Sequence, residues 1–390
     1  MGGLFTPTSV HLVAGLHAAC QATHITSAGE GKVRVIDSNS IEQVTIICVT
    51  YKSRALIESL ADTLRPFPHV LIIDNGSDDG TVSAIRRFLP RARIIERGDN
   101  GGFGKANNEA MAEVRTPLAL LLNPDCDIKP EGLLTLMDTL RRYPSAGMVA
   151  PQSWRENQKP QKCFRRAFYD LSPRAPYRVA DATCSAQWLN GCCLLLRTEA
   201  FRHVGGFDEC FFLFYEDDDL CLRMQRAGFE CLFEPAANAW HVGGASSAPS
   251  ARVSFVKAFH YARSRHLAIR RYQGDGAGWR YLLKLMLAAL PLVLVYGLLM
   301  QRRYFIKWVA WGASAASSAF AQFPGSSRAA RAHVPALHPM TLPDAELASP
   351  GTRVSVSRGY MEPGEDRAAV SKIRRNADQV QARNESVVER

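Results

Sequence analysis

The stretch that decides the fold runs Asn190-Gly-Cys-Cys-Leu-Leu-Leu-Arg-Thr-Glu-Ala-Phe201 and, after a glycine turn, Phe212-Leu-Phe-Tyr-Glu-Asp-Asp-Asp-Leu220. Its apolar run, Cys192–Leu196, is short enough to be a buried strand. Four consecutive acids, Glu216–Asp219, then open a segment of near-helical apolar spacing, which Gly228 is placed to end. A carboxylate at such a helix N-terminus, behind Phe and Tyr, can serve as a general base, although the helix dipole alone also favours acids there.

The composition is that of a globular protein with a basic surface. The chain has 390 residues, 47% of them hydrophobic, so two or three domains with a sizeable core are expected. A net charge of +10 suits nucleotides or an anionic membrane surface. No nucleic acid partner is expected, because no zinc-finger, homeodomain or RNP pattern occurs. The ten cysteines form no C-x-x-C pair, which indicates reduced thiols and a cytosolic catalytic part.

Upstream of the deciding stretch, strand and helix patterns alternate. Apolar runs at Val44–Thr50, Val70–Asp74, Arg93–Glu96 and Pro117–Leu122 are typical of buried parallel strands, with helical spacing between them. Ser53 is placed to cap the first helix. The alternation predicts an α/β fold with right-handed crossovers.

Polar loops follow the first three strands, where ligands bind in such sheets. They are Thr50-Tyr51, Asp74–Thr81 and Asn100-Gly-Gly-Phe-Gly104. The glycine run follows the third strand and does not satisfy G-x-G-x-x-G, which argues against a dinucleotide dehydrogenase. Each loop, taken alone, is equally consistent with a polar turn.

Two further patterns are open to a metal-binding or a structural interpretation. Asn123-Pro-Asp-Cys-Asp127 follows a buried strand, so its carboxylates either grip a divalent cation at a diphosphate or form an Asp-rich turn. His241, after a Trp, is a ligand or a structural histidine. Arg165 and Arg166 lie in an irregular region and are expected on a solvated surface loop.

Together these motifs resemble the inverting glycosyltransferases of family 2, which have a GT-A fold, and most closely their rhamnosyltransferase-type members. The resemblance covers about residues 44–272. It is carried by seven elements in order: Val-Thr-Tyr51, Ile-Asp74-Asn-Gly-Ser-Asp-Asp-Gly-Thr81, Asn100-Gly-Gly-Phe-Gly, Leu-Leu-Asn-Pro-Asp125, Val204-Gly-Gly-Phe-Asp-Glu209, Glu216-Asp-Asp-Asp-Leu220 and His241-x-x-Gly-x-Ser246.

The resemblance implies a Rossmann-like, mixed and mostly parallel sheet flanked by helices, and a nucleotide-diphosphate-sugar donor. The residues implied to line the donor site are Thr50, Tyr51, Asp74, Ser77, Asn100, Gly101 and Asn123. In one alignment with the family's D-x-D element, Asn123 takes the first place and Asp125 is the metal-binding acid. In the other alignment the element starts at Asp125, and Asp127 is then a ligand too. His241 is implied near the metal, which would be Mg²⁺ or Mn²⁺. Asp217 matches the catalytic base, with Gly191 and Glu216 on the acceptor side.

This assignment implies an inverting hexosyltransferase that moves a sugar, such as rhamnose, to a glycan or lipid-linked acceptor in cell-surface polysaccharide synthesis. One base and one in-line displacement suffice for inversion. The alternatives are a nucleotidyltransferase and a non-catalytic sugar-nucleotide-binding protein. The first would need a basic, glycine-rich first loop, where this chain has only Lys52.

The region after residue 272 has a different character. Leu285 to Met300 is uncharged, contains Pro291 and would be about 24 Å long as a helix, against a hydrocarbon layer of about 30 Å. Basic residues flank it on both sides, so we expect a helical segment at 273–311 lying on the inner face of the cell membrane. A buried core helix and a single span are the alternatives.

The expected domain order is therefore a poorly ordered leader (1–40) without a signal peptide, a catalytic domain (41–272), the apolar segment (273–311) and a disordered tail (312–390).

Overall fold

The computed structural model describes residues 41–165, 179–243 and 250–320. The predicted leader, residues 321–390 of the predicted tail, Arg166 and Ser246 lie outside these ranges. The strands are β1 (Val44–Thr50), β2 (Val70–Asp74), β3 (Arg93–Glu96), β4 (Leu118–Leu122), β5 (Cys126–Ile128), β6 (Ala146–Trp154), β7 (Phe164–Arg165), β8 (Cys184–Ser185), β9 (Trp188–Leu189), β10 (Cys193–Arg197) and β11 (Glu230–His241). The helices are α1 (Ile57–Leu64), α2 (Thr81–Phe88), α3 (Phe103–Glu113), α4 (Pro130–Arg142), α5 (Thr198–His203), α6 (Glu216–Arg226), α7 (Ala251–Gln273), α8 (Asp275–Leu298) and α9 (Arg302–Phe320).

The main sheet is mixed and mostly parallel, as predicted. Its order is β3-β2-β1-β4-β10-β6-β11-β5, and β1, β2, β3 and β4 are mutually parallel. Strand β10, which comes from the deciding stretch, inserts antiparallel between β4 and β6. This reversal brings the residues that precede β10 to the carboxyl end of β4.

Two hydrophobic cores cover the two faces of the sheet. Along β1, Val44, Ile46 and Cys48 pack in one core with α1, α2 and α4. Ile47 faces the other core, with α3, α5 and α6. The alternation follows from the two-residue period of a strand. Because both faces are covered, the central strands are apolar throughout, which made them readable from the sequence.

Two local predictions concern helix ends. Gly228 has a φ of +86° just after α6, as expected for a residue that stops a helix. The cap predicted for Ser53 is wrong, because its side chain makes no capping bond to the short 3-10 helix Arg54–Leu56 that precedes α1. Instead the Ser53 hydroxyl donates to the carbonyl of Tyr51 at 3.2 Å. Ser53 therefore shapes the turn after β1.

Helix α7 is fastened to α6 by one buried carboxylate. Asp219 accepts hydrogen bonds from Arg223 (2.7 Å), Arg271 (2.8 Å) and Tyr272 (2.5 Å). Arg271 also pairs with Asp208 at 2.5 Å. Since Arg271 and Tyr272 belong to α7, these bonds hold the C-terminal helices on the catalytic unit.

The C-terminal helices depart from the sequence prediction in two ways. Residues 312–320 continue α9, so the predicted start of a structureless tail at 312 is wrong. Helix α8 buries only Gly278, Leu282, Leu285 and Ala289. Leu287 is 70% exposed and Leu290 68%, so α8 is not a buried core helix among the residues that the structure describes. Among the described residues, α8 is long and apolar enough to cross a membrane by length and composition.

We predict that Asp219→Ala lowers the free energy of unfolding by about 3–5 kcal/mol, because Arg223 loses its buried counter-charge and Arg271 keeps only Asp208, which is 25% exposed. The matched control is Asp138→Ala, which removes a 39% exposed carboxylate paired with Arg141 and should cost less than about 1 kcal/mol. Chemical denaturation measures both. Equal losses in the two variants would contradict the role given to Asp219.

Candidate active site

The loops after β1 and β2 are joined through Asp74. Because these strands pair with Thr50 opposite Asp74, their ends lie side by side. The Asp74 carboxylate accepts from the Thr50 hydroxyl (2.9 Å), the Ser77 hydroxyl (2.7 Å) and the Ser77 N–H (2.7 Å). Ser77 in turn accepts from the N–H of Lys52 at 2.8 Å. Tyr51 sits half-buried beside this network, so all four predicted residues are brought together.

The glycine loop after β3 joins the same edge through Asn75. The Asn75 amide donates to the carbonyl of Gly102 (3.0 Å) and accepts from the N–H of Gly101 (3.2 Å). Asn100 accepts from the Gly102 N–H at 3.0 Å. Gly102 has a φ of +90°, and a Cβ there would collide with the carbonyl oxygen of Phe212, so only glycine fits. The loop thereby backs onto the segment that leads to the acids.

The end of β4 meets the start of β10. The Asn123 N–H donates to the carbonyl of Cys192 at 2.9 Å, so Gly191 lies at the carboxyl edge of the sheet. A Cβ on Gly191 would stand 3.4 Å from the Cβ of Asp217 and 3.8 Å from the Phe103 ring, which are ordinary contacts. Gly191 therefore leaves open the space directly before the Asp217 carboxylate.

Asp125 and His241 form a buried pair at the same edge. The His241 Nε2 lies 3.4 Å from Asp125 Oδ1, and its Nδ1 lies 2.9 Å from Gln161 Oε1. Burial alone lowers the pKa of His241, but Cys192 and the Asp125 carboxylate together raise it above its ordinary value. Gln161 fixes the ring orientation, as second-shell partners do for histidines that face cations.

Asp127 is engaged elsewhere. It accepts a hydrogen bond from Thr63 of α1 at 2.9 Å and lies 3.5 Å from the Lys129 ammonium. Within the described ranges, no group of three or more His, Cys, Asp or Glu side chains could hold a metal ion. Asp125 and His241 are thus brought together, while the structure gives Asp127 the environment of a structural carboxylate.

The acid run begins on a strained turn. Phe214 and Tyr215 both have left-handed backbones, with φ of +68° and +70°, and α6 starts at the next residue. Such conformations cost about 1–3 kcal/mol each and persist where the surroundings enforce them. The turn aims Asp217 at Gly191, whose N–H donates to Asp217 Oδ2 at 3.2 Å.

The model described as Glycosyl transferase family 2 matches residues 45–205, and that described as Glycosyl transferase family group 2 matches residues 128–320. An N-acetylglucosaminyl-diphospho-decaprenol L-rhamnosyltransferase of Mycobacterium tuberculosis is 30% identical in an alignment of 230 residues that covers 50% of this chain and 75% of that protein. Rhamnosyltransferase WbbL of Escherichia coli K12 is 30% identical over 58% of this chain and 94% of its own length.

The chain belongs to glycosyl transferase family 2. It is a rhamnosyltransferase-like member with a GT-A-like fold, as the sequence motifs predicted. Among solved structures, a mannosyltransferase of Pyrobaculum calidifontis in complex with GDP-Man and Mn²⁺ covers 73% of this chain and 88% of its own, at 19% identity and a TM-score of 0.44.

The environment of this glycosyltransferase's acid run separates its carboxylates. Burial raises the pKa of Asp217, although the N–H groups of Gly191 and Asp218, then Arg165 and Trp188, act in the opposite direction. Burial and Asp217 raise the pKa of Glu216 well above its ordinary range. Glu216 Oε2 is buried with no hydrogen-bond partner in the described part of the chain. Two neighbouring carboxyl groups thus have unequal proton affinities, which suits one base beside one neutral acid.

Several site residues escaped the sequence analysis. Asn75, Gln161 and Trp188 were not singled out, and only the position of Asn75 directly after a buried strand could have drawn attention to it. Arg165, expected on a solvated loop, is only 18% exposed and bonds Asp218 at 2.6 Å. The expectation failed because its partner lies 53 residues away, beyond any local pattern.

Proposed function

We propose that the enzyme transfers an L-rhamnosyl group, with inversion, from a nucleotide-diphosphate donor to a lipid-linked glycan acceptor in cell-surface polysaccharide synthesis. The observation that carries this is the placement of Asp217, a half-buried carboxylate on a helix N-terminus, against the open backbone of Gly191. The names of two relatives support rhamnose as the sugar, and one of them names a diphospholipid acceptor.

The donor lies along the three linked loops in this proposal. Thr50, Tyr51, Asp74 and Ser77 hold the base and ribose, and Asp74 is preorganised for that role because Thr50 and Ser77 already fix both of its oxygens. Asn100, Gly101 and Asn123 approach the remainder of the nucleotide-sugar. Backbone N–H groups in such a loop recognise phosphate or hydroxyl oxygens without the entropy cost of ordering side chains.

Asp217 takes the proton of the acceptor hydroxyl as that oxygen attacks the anomeric carbon. Burial raises the pKa of Asp217 toward neutral pH, and a general base works best when its pKa lies near the working pH. Glu216, whose pKa burial raises well above its ordinary range, is the neutral carboxyl group next to the base in this proposal, on the acceptor side. This mechanism needs no second carboxylate as a nucleophile, so the displacement inverts the anomeric centre.

The residues present fit a divalent cation in part. One buried carboxylate, Asp125, with His241 beside it, suits Mg²⁺ or Mn²⁺ held mainly by diphosphate oxygens, since these ions need only one or two protein carboxylates there. The ion would neutralise charge on the departing diphosphate. Asp127 does not belong to this set, because Thr63 and Lys129 occupy it.

The function is tested by offering the purified enzyme a panel of nucleotide sugars with an N-acetylglucosaminyl-diphospho-polyprenol acceptor. We expect turnover with a rhamnosyl donor, and the anomeric configuration of the product, read by NMR coupling constants, should be opposite to that of the donor. Turnover with a different sugar would correct the donor, and retained configuration would refute the single-base mechanism.

We predict that Asp217→Asn lowers kcat by about 100-fold or more, because the amide keeps the shape but cannot accept the proton. Donor binding, measured by calorimetry with the nucleoside diphosphate, should be unchanged. Asp138→Asn, at an exposed acid on α4, is the matched control and should retain full activity. Near-normal turnover by Asp217→Asn would show that another residue is the base.

We predict that Asp125→Asn abolishes the strengthening of nucleoside diphosphate binding by Mn²⁺, whereas Asp127→Asn leaves it intact. The physical reason is that Asp125 faces His241 at the sheet edge while Asp127 is bonded to Thr63. Calorimetry with and without Mn²⁺ measures this, and EDTA should stop turnover. Equal effects of the two substitutions, or full activity in EDTA, would reject the assignment.

The same proposal places the enzyme on the inner face of the cell membrane. Helix α8 exposes a stripe of large apolar side chains: Leu283, Leu287, Leu290, Leu294 and Leu298. Exposed cations lie at both of its ends, with Arg280 and Lys284 at one and Arg302 and Arg303 at the other. A helix that spans the membrane or enters it end-first would take one cationic end away from the cytoplasmic face. A helix lying in the interface keeps both ends at that face and is therefore favoured. That position keeps the active site beside a lipid-linked acceptor.

We predict that the triple substitution of Leu287, Leu290 and Leu294 by Gln releases the protein from vesicles of both neutral and anionic lipid, since it removes the apolar contact. Arg280→Gln with Lys284→Gln should weaken binding to anionic vesicles alone, by about 1 kcal/mol per charge. Vesicle flotation measures both. Full-length protein that stays soluble at low salt without detergent, or a stable dimer lost in the triple variant, would contradict membrane docking.

A further inference from the structure

A two-stranded ribbon stands directly beside the acid run. Strands β7 and β9 pair antiparallel with Arg165 opposite Trp188. The ribbon is closed at one end by the bond from the Asn190 N–H to the Cys163 carbonyl, at 2.8 Å. The next residue is Gly191, which bonds Asp217. The backbone that carries Trp188 therefore continues directly into the backbone that contacts Asp217.

The side chains of this ribbon form a layered contact with α6. The Arg165 guanidinium lies 4.2 Å from the centre of the Trp188 ring and donates to Asp218 Oδ1 at 2.6 Å. Both members of the ion pair are largely buried, with side-chain exposures of 18% and 7%. A planar guanidinium stacked on an indole can hold one fixed orientation, which a lysine ammonium cannot reproduce.

The charge of Arg165 acts on Asp217 as well as on its bonded partner. Burial raises the pKa of Asp217, and Arg165 and the Trp188 indole N–H both lower it. Burial and Asp217 also raise the pKa of Asp218 well above its ordinary range, and Arg165 acts against them. Unlike Glu216, Asp218 is bonded to a cation that favours its ionised form. The Trp188 N–H is buried without a hydrogen bond of normal geometry among the described residues, so its influence on Asp217 is that of a dipole.

We propose that Arg165 and Trp188 are positioning residues for this reaction, which hold Asp218 as a paired anion and keep Asp217 as the one ionised carboxylate available to the acceptor. The proposal rests on the proposed function of Asp217 as the base. The groups that face Asp217 are the following: Glu216, Asp218 and Cys221 of α6, Arg165 of β7 and Trp188 of β9. Arg165 is the cation in this set, and among the residues that the structure describes no other strand or helix contributes one.

The sign of the effect follows from the charges. Without the Arg165 cation, the ionised form of Asp217 is disfavoured and the pKa of Asp217 rises. The ionised fraction at an acidic pH then falls, so the acid limb of the kcat/KM profile moves to higher pH. Without the Asp218 anion the opposite holds, because a like charge is lost and Arg165 is free to act on Asp217 alone.

We expect the acid limb to move up by about one pH unit or more in Arg165→Gln, and by less in Arg165→Lys, which keeps the charge but not the stack. At a pH below the acid limb, kcat/KM should therefore fall about tenfold, and alkaline pH should restore it. Asp218→Asn should move the limb down, and Trp188→Phe, which keeps a ring under Arg165, should move it up slightly. Arg93→Gln, which breaks an exposed pair with Glu113, should leave the profile unchanged.

A loss of activity in Arg165→Gln that is equal at every pH would overturn the proposal, because a merely structural role predicts that pattern. If Arg165→Gln does not fold, Asp218→Asn and Trp188→Phe decide, and profiles that superimpose on the wild type would refute it. The carboxyl titration of Asp217, followed by ¹³C NMR with labelled aspartate and assigned with Asp217→Asn, needs no substrate. This titration therefore tests the effect of Arg165 on Asp217 even if the wild-type enzyme turns over no donor. Absence of turnover by the wild type would reject the proposed function and not the role of Arg165.

Discussion

Four consecutive carboxyl groups at a buried helix end are the constraint on which the rest of this site depends. A helix turns about 100° per residue, so the side chains of Glu216, Asp217, Asp218 and Asp219 point in four directions. Each direction meets a different environment: apolar burial for Glu216, the Gly191 backbone for Asp217, Arg165 for Asp218, and Arg223, Arg271 and Tyr272 for Asp219. Buried charge is tolerated only where it is paired, so the fold had to supply cations from two distant elements.

Helix α6 begins on a strained turn that contacts from another helix support. The left-handed Phe214 and Tyr215 are held by α7, because its Ser264 donates to the carbonyl of Leu213 at 2.9 Å and its Tyr261 lies against both rings. Tyr261 in turn stacks on Trp311 of α9. The turn that aims Asp217 is thus supported by the helices that also carry the exposed apolar stripe of α8.

The sequence was most informative where structure is local. Strands β1, β2 and β4 are covered on both faces, so their uninterrupted apolar runs could be read directly, and parallel pairing then placed Thr50 and Asp74 together. It was least informative where a partner is remote. Arg165 was expected at the surface because no residue near it in the sequence indicates its pairing with Asp218. Asp127 looked like a ligand because of its spacing from Asp125, but β5 runs on along the sheet and places it against α1.

Helix α7 is the element that joins the parts of the molecule. Near the start of α7, Arg252 acts electrostatically on Lys52 and Asp78. It contributes to the lowered pKa of Asp78, of which the hydrogen bond from Lys52 is the main cause. In its middle, His260 stacks on Phe212, whose carbonyl accepts from the Phe103 N–H and borders Gly102. At its end, Arg271 holds Asp219. A displacement of α7 would therefore disturb the first loop, the glycine loop and the start of α6 together, so the helices that present the apolar stripe cannot move independently of the candidate active site.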